Sequence, residues 1–137
     1  MRYTVIFSIL ILLFFLGCKK NYSSTPSLTY KSQNTTFLSA GGTIQFTLSY
    51  TDAEGDLDSV LVQKNEPKCA LSSFTQWYPT PGVPAGTKKG DVLITFSYND
   101  IPPKCPRNDT ATFQFTLLDK AKHLSQTVIS PTIVISQ

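Results

Sequence analysis

One histidine, one tryptophan, three cysteines and nine acidic residues are a sparse supply of reactive side chains for 137 positions. His123, the only imidazole, lies in a charged stretch and reads as a surface residue rather than a general base. No G-x-S-x-G, H-E-x-x-H or P-loop pattern occurs, so the chain is not expected to be an enzyme. The formal net charge is +3, with no clustered basic stripe, which argues against a nucleic-acid partner. No segment carries a helical period, which leaves strands as the main building element. Long apolar runs are also missing. The best, Tyr3 to Leu16, is about 14 residues, short of the ~20 that a membrane-spanning helix needs.

That run does suit another purpose. Arg2 precedes it, only Thr4 and Ser8 interrupt it, and Gly17-Cys18-Lys19-Lys20 follows. A positive start, a short apolar stretch and a small residue before the cut describe a secretory signal. Leu16-Gly17-Cys18 resembles a bacterial lipobox, although Phe15 and Leu16 depart from the commonest residues there. The resemblance implies that Cys18 becomes the lipidated first residue of the mature chain. Several acyl chains on one residue anchor durably, because each buried CH₂ contributes about 0.8 kcal/mol and one chain alone is marginal.

With Cys18 committed to lipid, Cys69 and Cys105 form an even pair in an oxidising compartment. Each ends a Pro-Lys-Cys triplet suited to a loop (Pro67-Lys68-Cys69 and Pro103-Lys104-Cys105). A disulfide is expected. The rival, two free thiols in a metal or redox site, lacks a close second ligand.

Residues 1–17 thus read as a lipoprotein signal peptide, 18–27 as the lipidated cysteine with a polar tether, and 28–137 as one domain. Three segments of that domain alternate strictly. Ile44, Phe46, Leu48 and Tyr50 share one face of Thr43–Tyr50. Val92, Ile94, Phe96 and Tyr98 do so in Asp91–Tyr98, and Ala111, Phe113, Phe115 and Leu117 in Thr110–Leu118. Such alternation is what half-buried antiparallel strands require. Weaker strand signals cover Leu28–Lys31, Ser59–Gln63, Ser73–Tyr78 and Gln126–Ser136, the last broken by Pro131. About seven short strands between Gly-, Pro- and Asp-rich turns predict an all-β, immunoglobulin-like Greek-key sandwich.

Gly17-Cys18-Lys19-Lys20, Gly42-Thr43-Ile44, the stretch Tyr50-Thr51-Asp52-Ala53-Glu54-Gly55-Asp56-Leu57, and Asp109-Thr110 ahead of Asp119 carry a wider likeness. Together they make the chain resemble small Bacteroidota-type outer-membrane lipoproteins with a single Ig-like domain. That resemblance implies an outer-membrane location, on the periplasmic or the cell-surface face, and no particular activity.

Two segments are candidate sites. Asp52, Glu54, Asp56 and Asp58 crowd around Gly55 between two strands. The EF-hand pattern fails here, since Leu57 takes the glycine position and Gln63 the closing glutamate. A calcium ion, the only cofactor considered, would therefore need a second loop. An Ig-like topology brings Asp119 to the same end, making Asp52, Glu54, Asp56 and Asp119 the candidate ligands. The alternatives are a solvated turn, or neutralisation by Lys120, Lys122 or His123. The second segment, Lys64 to Gly90, holds Trp77 and Tyr78 among prolines and glycines. These aromatics are candidate contacts for a glycan or an envelope protein; the other reading is an extra strand covering the sandwich. The functional expectation is a lipid-anchored extracytoplasmic binding or adhesion module, with an accessory subunit of an envelope complex as the alternative.

Overall fold

Alternation at the residue level becomes two packed sheets in the structure, a computed structural model that describes residues 22–80 and 82–137. The signal peptide and Cys18 lie outside the described residues. The first sheet has the order β1 (Ser27–Gln33), β3 (Thr43–Thr51), β6 (Lys89–Ser97). The second has the order β2 (Phe37–Leu38), β9 (Ile133–Ile135), β7 (Asp109–Asp119), β4 (Leu57–Asn65), β5 (Phe74–Pro79), with β8 (Val128–Ile129) also on β7. β2 pairs with β9 in parallel and the other pairings are antiparallel. This is an Ig-like β-sandwich.

The expected inward faces meet in one core. Ile44, Phe46, Leu48, Val92, Ile94, Phe96, Ala111, Phe113, Phe115 and Leu117 are all buried. Phe46 of the first sheet lies 4.9 Å from Phe113 and 5.0 Å from Phe115 of the second, centroid to centroid. Tilted contacts of this kind add about 0.5–1.5 kcal/mol per pair beyond the area buried. Tyr98 departs from the expectation. β6 stops at Ser97 because the Ser97 amide and hydroxyl both donate to Asp100 Oδ2 at 2.7 Å, opening a 3₁₀ turn over Tyr98–Asp100.

The C-terminal signal is likewise split into β8 and β9 around Pro131, which cannot donate to a ladder. Ser130 maintains continuity: Phe113 N–H donates to its hydroxyl at 2.9 Å, while its own N–H reaches the Phe113 carbonyl at 2.8 Å. β2, a two-residue element, is too short to show a period and was not anticipated. The Lys64–Gly90 excursion proves to be an edge strand, β5, flanked by a 3₁₀ turn over Ala70–Ser72.

Cys69 and Cys105 are bonded, closing a loop of sequence separation 36. Their bridge marks one pole of the sandwich, where β4 ends and β7 begins. The opposite pole holds the β3–β4 and β7–β8 turns. The chain also enters there, since Ala53 N–H donates to the Ser23 carbonyl at 3.1 Å.

Candidate functional site

At the entry pole, strand parity decides which acids turn inward. Asp52 follows Tyr50 by two residues and Asp119 follows Leu117 by two, so each continues a core-facing row. Both are buried, at 0% and 1% exposure. Asp56, half-buried ahead of β4, completes a trio in which one carboxylate oxygen from each residue lies within 4.8 Å of the others. Topology thus unites Asp52, Asp56 and Asp119 from two separate turns. Glu54 is a correction to the candidate set: it is exposed at the tip of its turn and does not join the trio.

Backbone bonds hold this constellation in place. Asp52 Oδ2 accepts from Asp56 N–H at 2.9 Å, closing an Asx-type turn. Lys120 N–H donates to the Asp56 carbonyl at 3.1 Å, and Asp52 N–H to the Lys88 carbonyl at 2.8 Å. Asp119 accepts His123 N–H on Oδ1 at 2.7 Å and faces His123 Nδ1 from Oδ2 at 2.8 Å. Burial pushes the Asp119 pKa up, but the His123 amide, its imidazole and the Ala121 amide outweigh this and hold it below 3.8. Lysine neutralisation of the trio is not found. Lys122 instead reaches outward to Asp58 at 3.6 Å, and Lys120 forms no ion pair among the described residues.

Gly55 shows how tightly the turn is clamped. Its φ is +68°, and a Cβ there would come 2.4 Å from the carbonyl carbon of Gly86. Gly86 N–H donates to the Gly55 carbonyl at 2.8 Å, so the two backbones touch. Gly55→Ala would have to adopt a left-handed conformation and also push the backbone at Gly86 away. Its expected cost is about 1–3 kcal/mol from the backbone conformation alone. Thermal unfolding of the variant against wild type measures it, and an unchanged melting temperature would show that neither the left-handed conformation nor the Gly86 contact constrains the turn.

The aromatic candidates do not form one surface. Trp77 and Tyr78 are neighbours on β5, so they point to opposite faces. Trp77 is 45% exposed on the outer face. Tyr78 turns toward the core, meeting Phe96 edge-on at 5.6 Å, with its hydroxyl donating to Gln76 Oε1 at 3.2 Å. Tyr78 instead lines a cleft of about 520 Å³ on the flank of the sandwich. Gln76, Tyr78 and Pro79 of β5 form one wall, Leu93 to Phe96 of β6 the other, and Asp100 closes one end. The cleft exists because β5 and β6 are the edge strands of their sheets and, among the described residues, no further strand bridges them.

At the disulfide pole lies a group that the sequence reading missed. Lys64 Nζ is 3.3 Å from Asp109 Oδ2 with both side chains buried, and buried Glu66 is nearby. Burial lowers the Lys64 pKa below 10.5, against the opposing pull of Asp109 and Glu66. Parity was the available signal: Lys64 and Glu66 extend the Val60, Val62 row, and Asp109 begins the Ala111, Phe113 row.

No protein-family model matches the chain, and no curated protein matches it by sequence. Solved structures match it in fold. The sporulation control protein Spo0M of Bacillus subtilis aligns with a TM-score of 0.50 at 9% identity over 84% of this chain and 51% of Spo0M. The SrpA adhesin of Streptococcus sanguinis gives 0.44 at 14% identity, over 86% of this chain and 60% of that one. The alkylpurine DNA glycosylase AlkC of Pseudomonas fluorescens gives 0.45 at 8% identity, over 93% and 33%. The chain therefore spans between a third and three-fifths of each protein, and the likeness to Spo0M is one of fold alone.

Proposed function

We propose that this chain is a lipid-anchored extracytoplasmic binding module of the outer membrane that takes a glycan in the β5–β6 cleft. The anchor would be Cys18, with the entry pole toward the membrane, since the chain joins the domain beside Ala53. The cleft is the observation that carries the reading. Its volume falls within the roughly 300–1,000 Å³ of ligand pockets. Its lining combines an aromatic edge and aliphatic groups (Tyr78, Leu93, Ile94) with hydroxyl, amide and carboxylate partners (Thr95, Gln76, Asp100). Sugars present the complementary pattern, apolar C–H faces beside rows of hydroxyls.

The test is a glycan array probed with the full-length lipoprotein in detergent. Selective binding is expected, and Gln76→Trp, which fills the cleft from an exposed position, should abolish it without lowering the melting temperature. A blank array, or equal binding by Gln76→Trp, would overturn the reading. The second reading, an accessory subunit of an envelope complex, rests on the open edges of β5 and β6, which suit strand addition by a partner chain. It is supported if a crosslinked complex forms through β6 while the array stays blank.

A further inference from the structure

The two poles treat buried acids differently. At the disulfide pole Glu66 Oε2 and Asp109 Oδ1 lack direct partners, but Lys64 lies between the strands and supplies a positive charge. At the entry pole three carboxylates converge with no lysine or arginine within ion-pair distance among the described residues. His123 engages only Asp119. Asp52 is wholly buried, and its Oδ1 has no hydrogen-bond partner; the buried Oδ1 of Asp56 has none either. An isolated carboxylate taken out of water is strongly disfavoured unless a cation or donor meets it. The two residues that carry these unpartnered oxygens converge with a third carboxylate, one oxygen of each lying within 4.8 Å of the others, and together they form the donor half of a site.

We propose that Asp52, Asp56 and Asp119 bind a calcium ion. The donors are all hard oxygens, and the 4.8 Å that bounds their separation is about the span of two Ca–O bonds at 2.3–2.6 Å. Among the described residues the cluster holds no soft ligand: Cys69 and Cys105 are bonded at the other pole, and His123, which turns Nδ1 to Asp119, is not one of the three converging groups. Three protein carboxylates are fewer than the six to eight oxygens calcium takes, so waters and carbonyls complete the shell. Affinity then falls in the range of extracellular modules, with a dissociation constant of about 0.1–1 mM. The site staples the β3–β4 turn to the β7–β8 turn, at the pole where Ser23 brings in the chain. Calcium would stiffen the root of the domain relative to its anchor. This inference is independent of the glycan cleft.

Thermal unfolding of the full-length chain, in EDTA and across a CaCl₂ series, tests it. The melting temperature is expected to rise by about 5 °C or more at about 10 mM Ca²⁺, with half the effect at about 0.1–1 mM. Asp52→Asn keeps an oxygen for the Asp56 amide while removing the buried charge. It should lose the calcium shift yet melt no lower than wild type in EDTA. Should that variant fail to fold, half-buried Asp56→Asn gives the same readout. Isothermal titration should find one Ca²⁺ per chain. The proposal is overturned by the absence of a shift, by an equal shift with MgCl₂ or ionic-strength-matched NaCl, or by a shift that survives in both variants.

Discussion

Lys64→Met is expected to destabilise the domain by about 3–5 kcal/mol, because removing one member of a buried pair leaves the other charged and uncompensated. Asp109 is the principal orphan, with Glu66 adding to the cost. The double variant Lys64→Met/Asp109→Leu should recover at least half of the loss, since an apolar pair of similar volume no longer demands solvation. Urea unfolding of the four proteins of this cycle gives the coupling directly. If the double variant is as unstable as the sum of the singles, the ion pair contributes only packing. The same pair sets a pH dependence. The folded Lys64 pKa lies below the unfolded 10.5, so the native state releases this proton first. This group's contribution to stability therefore rises with pH through that window and is least favourable below the folded pKa. An NMR titration of the Lys64 side chain should place its midpoint below 10.5.

Removing the Cys69–Cys105 bond is expected to cost nearly as much. A cross-link over a separation of 36 residues stabilises by about 4 kcal/mol in the chain-entropy argument. Cys69→Ala/Cys105→Ala should lower the melting temperature by about 15 °C. The bond ties the segment leading into β5 to the one leading into β7, and two further links run beside it. Arg107 Nη2 donates to the Lys68 carbonyl at 2.6 Å, and Lys104 N–H to Ser72 Oγ at 3.1 Å. β5 is an edge strand held only by β4, so the loss should appear first as faster amide exchange from Ala70 to Pro79. Exchange that quickens uniformly over the chain would show instead that the bond acts only through the unfolded state. Because Gln76 and Tyr78 form one wall of the cleft, the glycan binding proposed for it should weaken before the domain unfolds.

The all-β fold was legible in three stretches of strict alternation, because one buried face per strand forces period 2 on the sequence. Thr43–Tyr50 and Thr110–Leu118 sit within one residue of the observed ends of β3 (Thr43–Thr51) and β7 (Asp109–Asp119). The disulfide was legible from an even pair of cysteines, each in a Pro-Lys-Cys triplet, once Cys18 is set aside as the expected lipidation site. Even the buried charges left a trace, for Lys64, Asp109, Asp52 and Asp119 all stand on the inward parity of their strands. Asp52 and Asp119 stand out in the sequence as candidate ligands, whereas Lys64 and Asp109 do not, because a charged residue at a strand end can as easily leave the sheet and face water.

Tertiary arrangement alone settles which of those ends stay covered. Asp52 is shut in because Lys88, Gly86 and the β7–β8 turn close over it, and these are distant in sequence. Glu54, two residues away, is left in solvent at the turn tip. Trp77 and Tyr78 look like one aromatic patch in sequence, yet the pleat of β5 divides them between two faces. The cleft is more remote still from any motif, since it arises where two sheets end without a strand between them. Local periodicity thus carries each strand's inward face. Long-range contacts decide which acids meet, which aromatics part, and where the sandwich remains open.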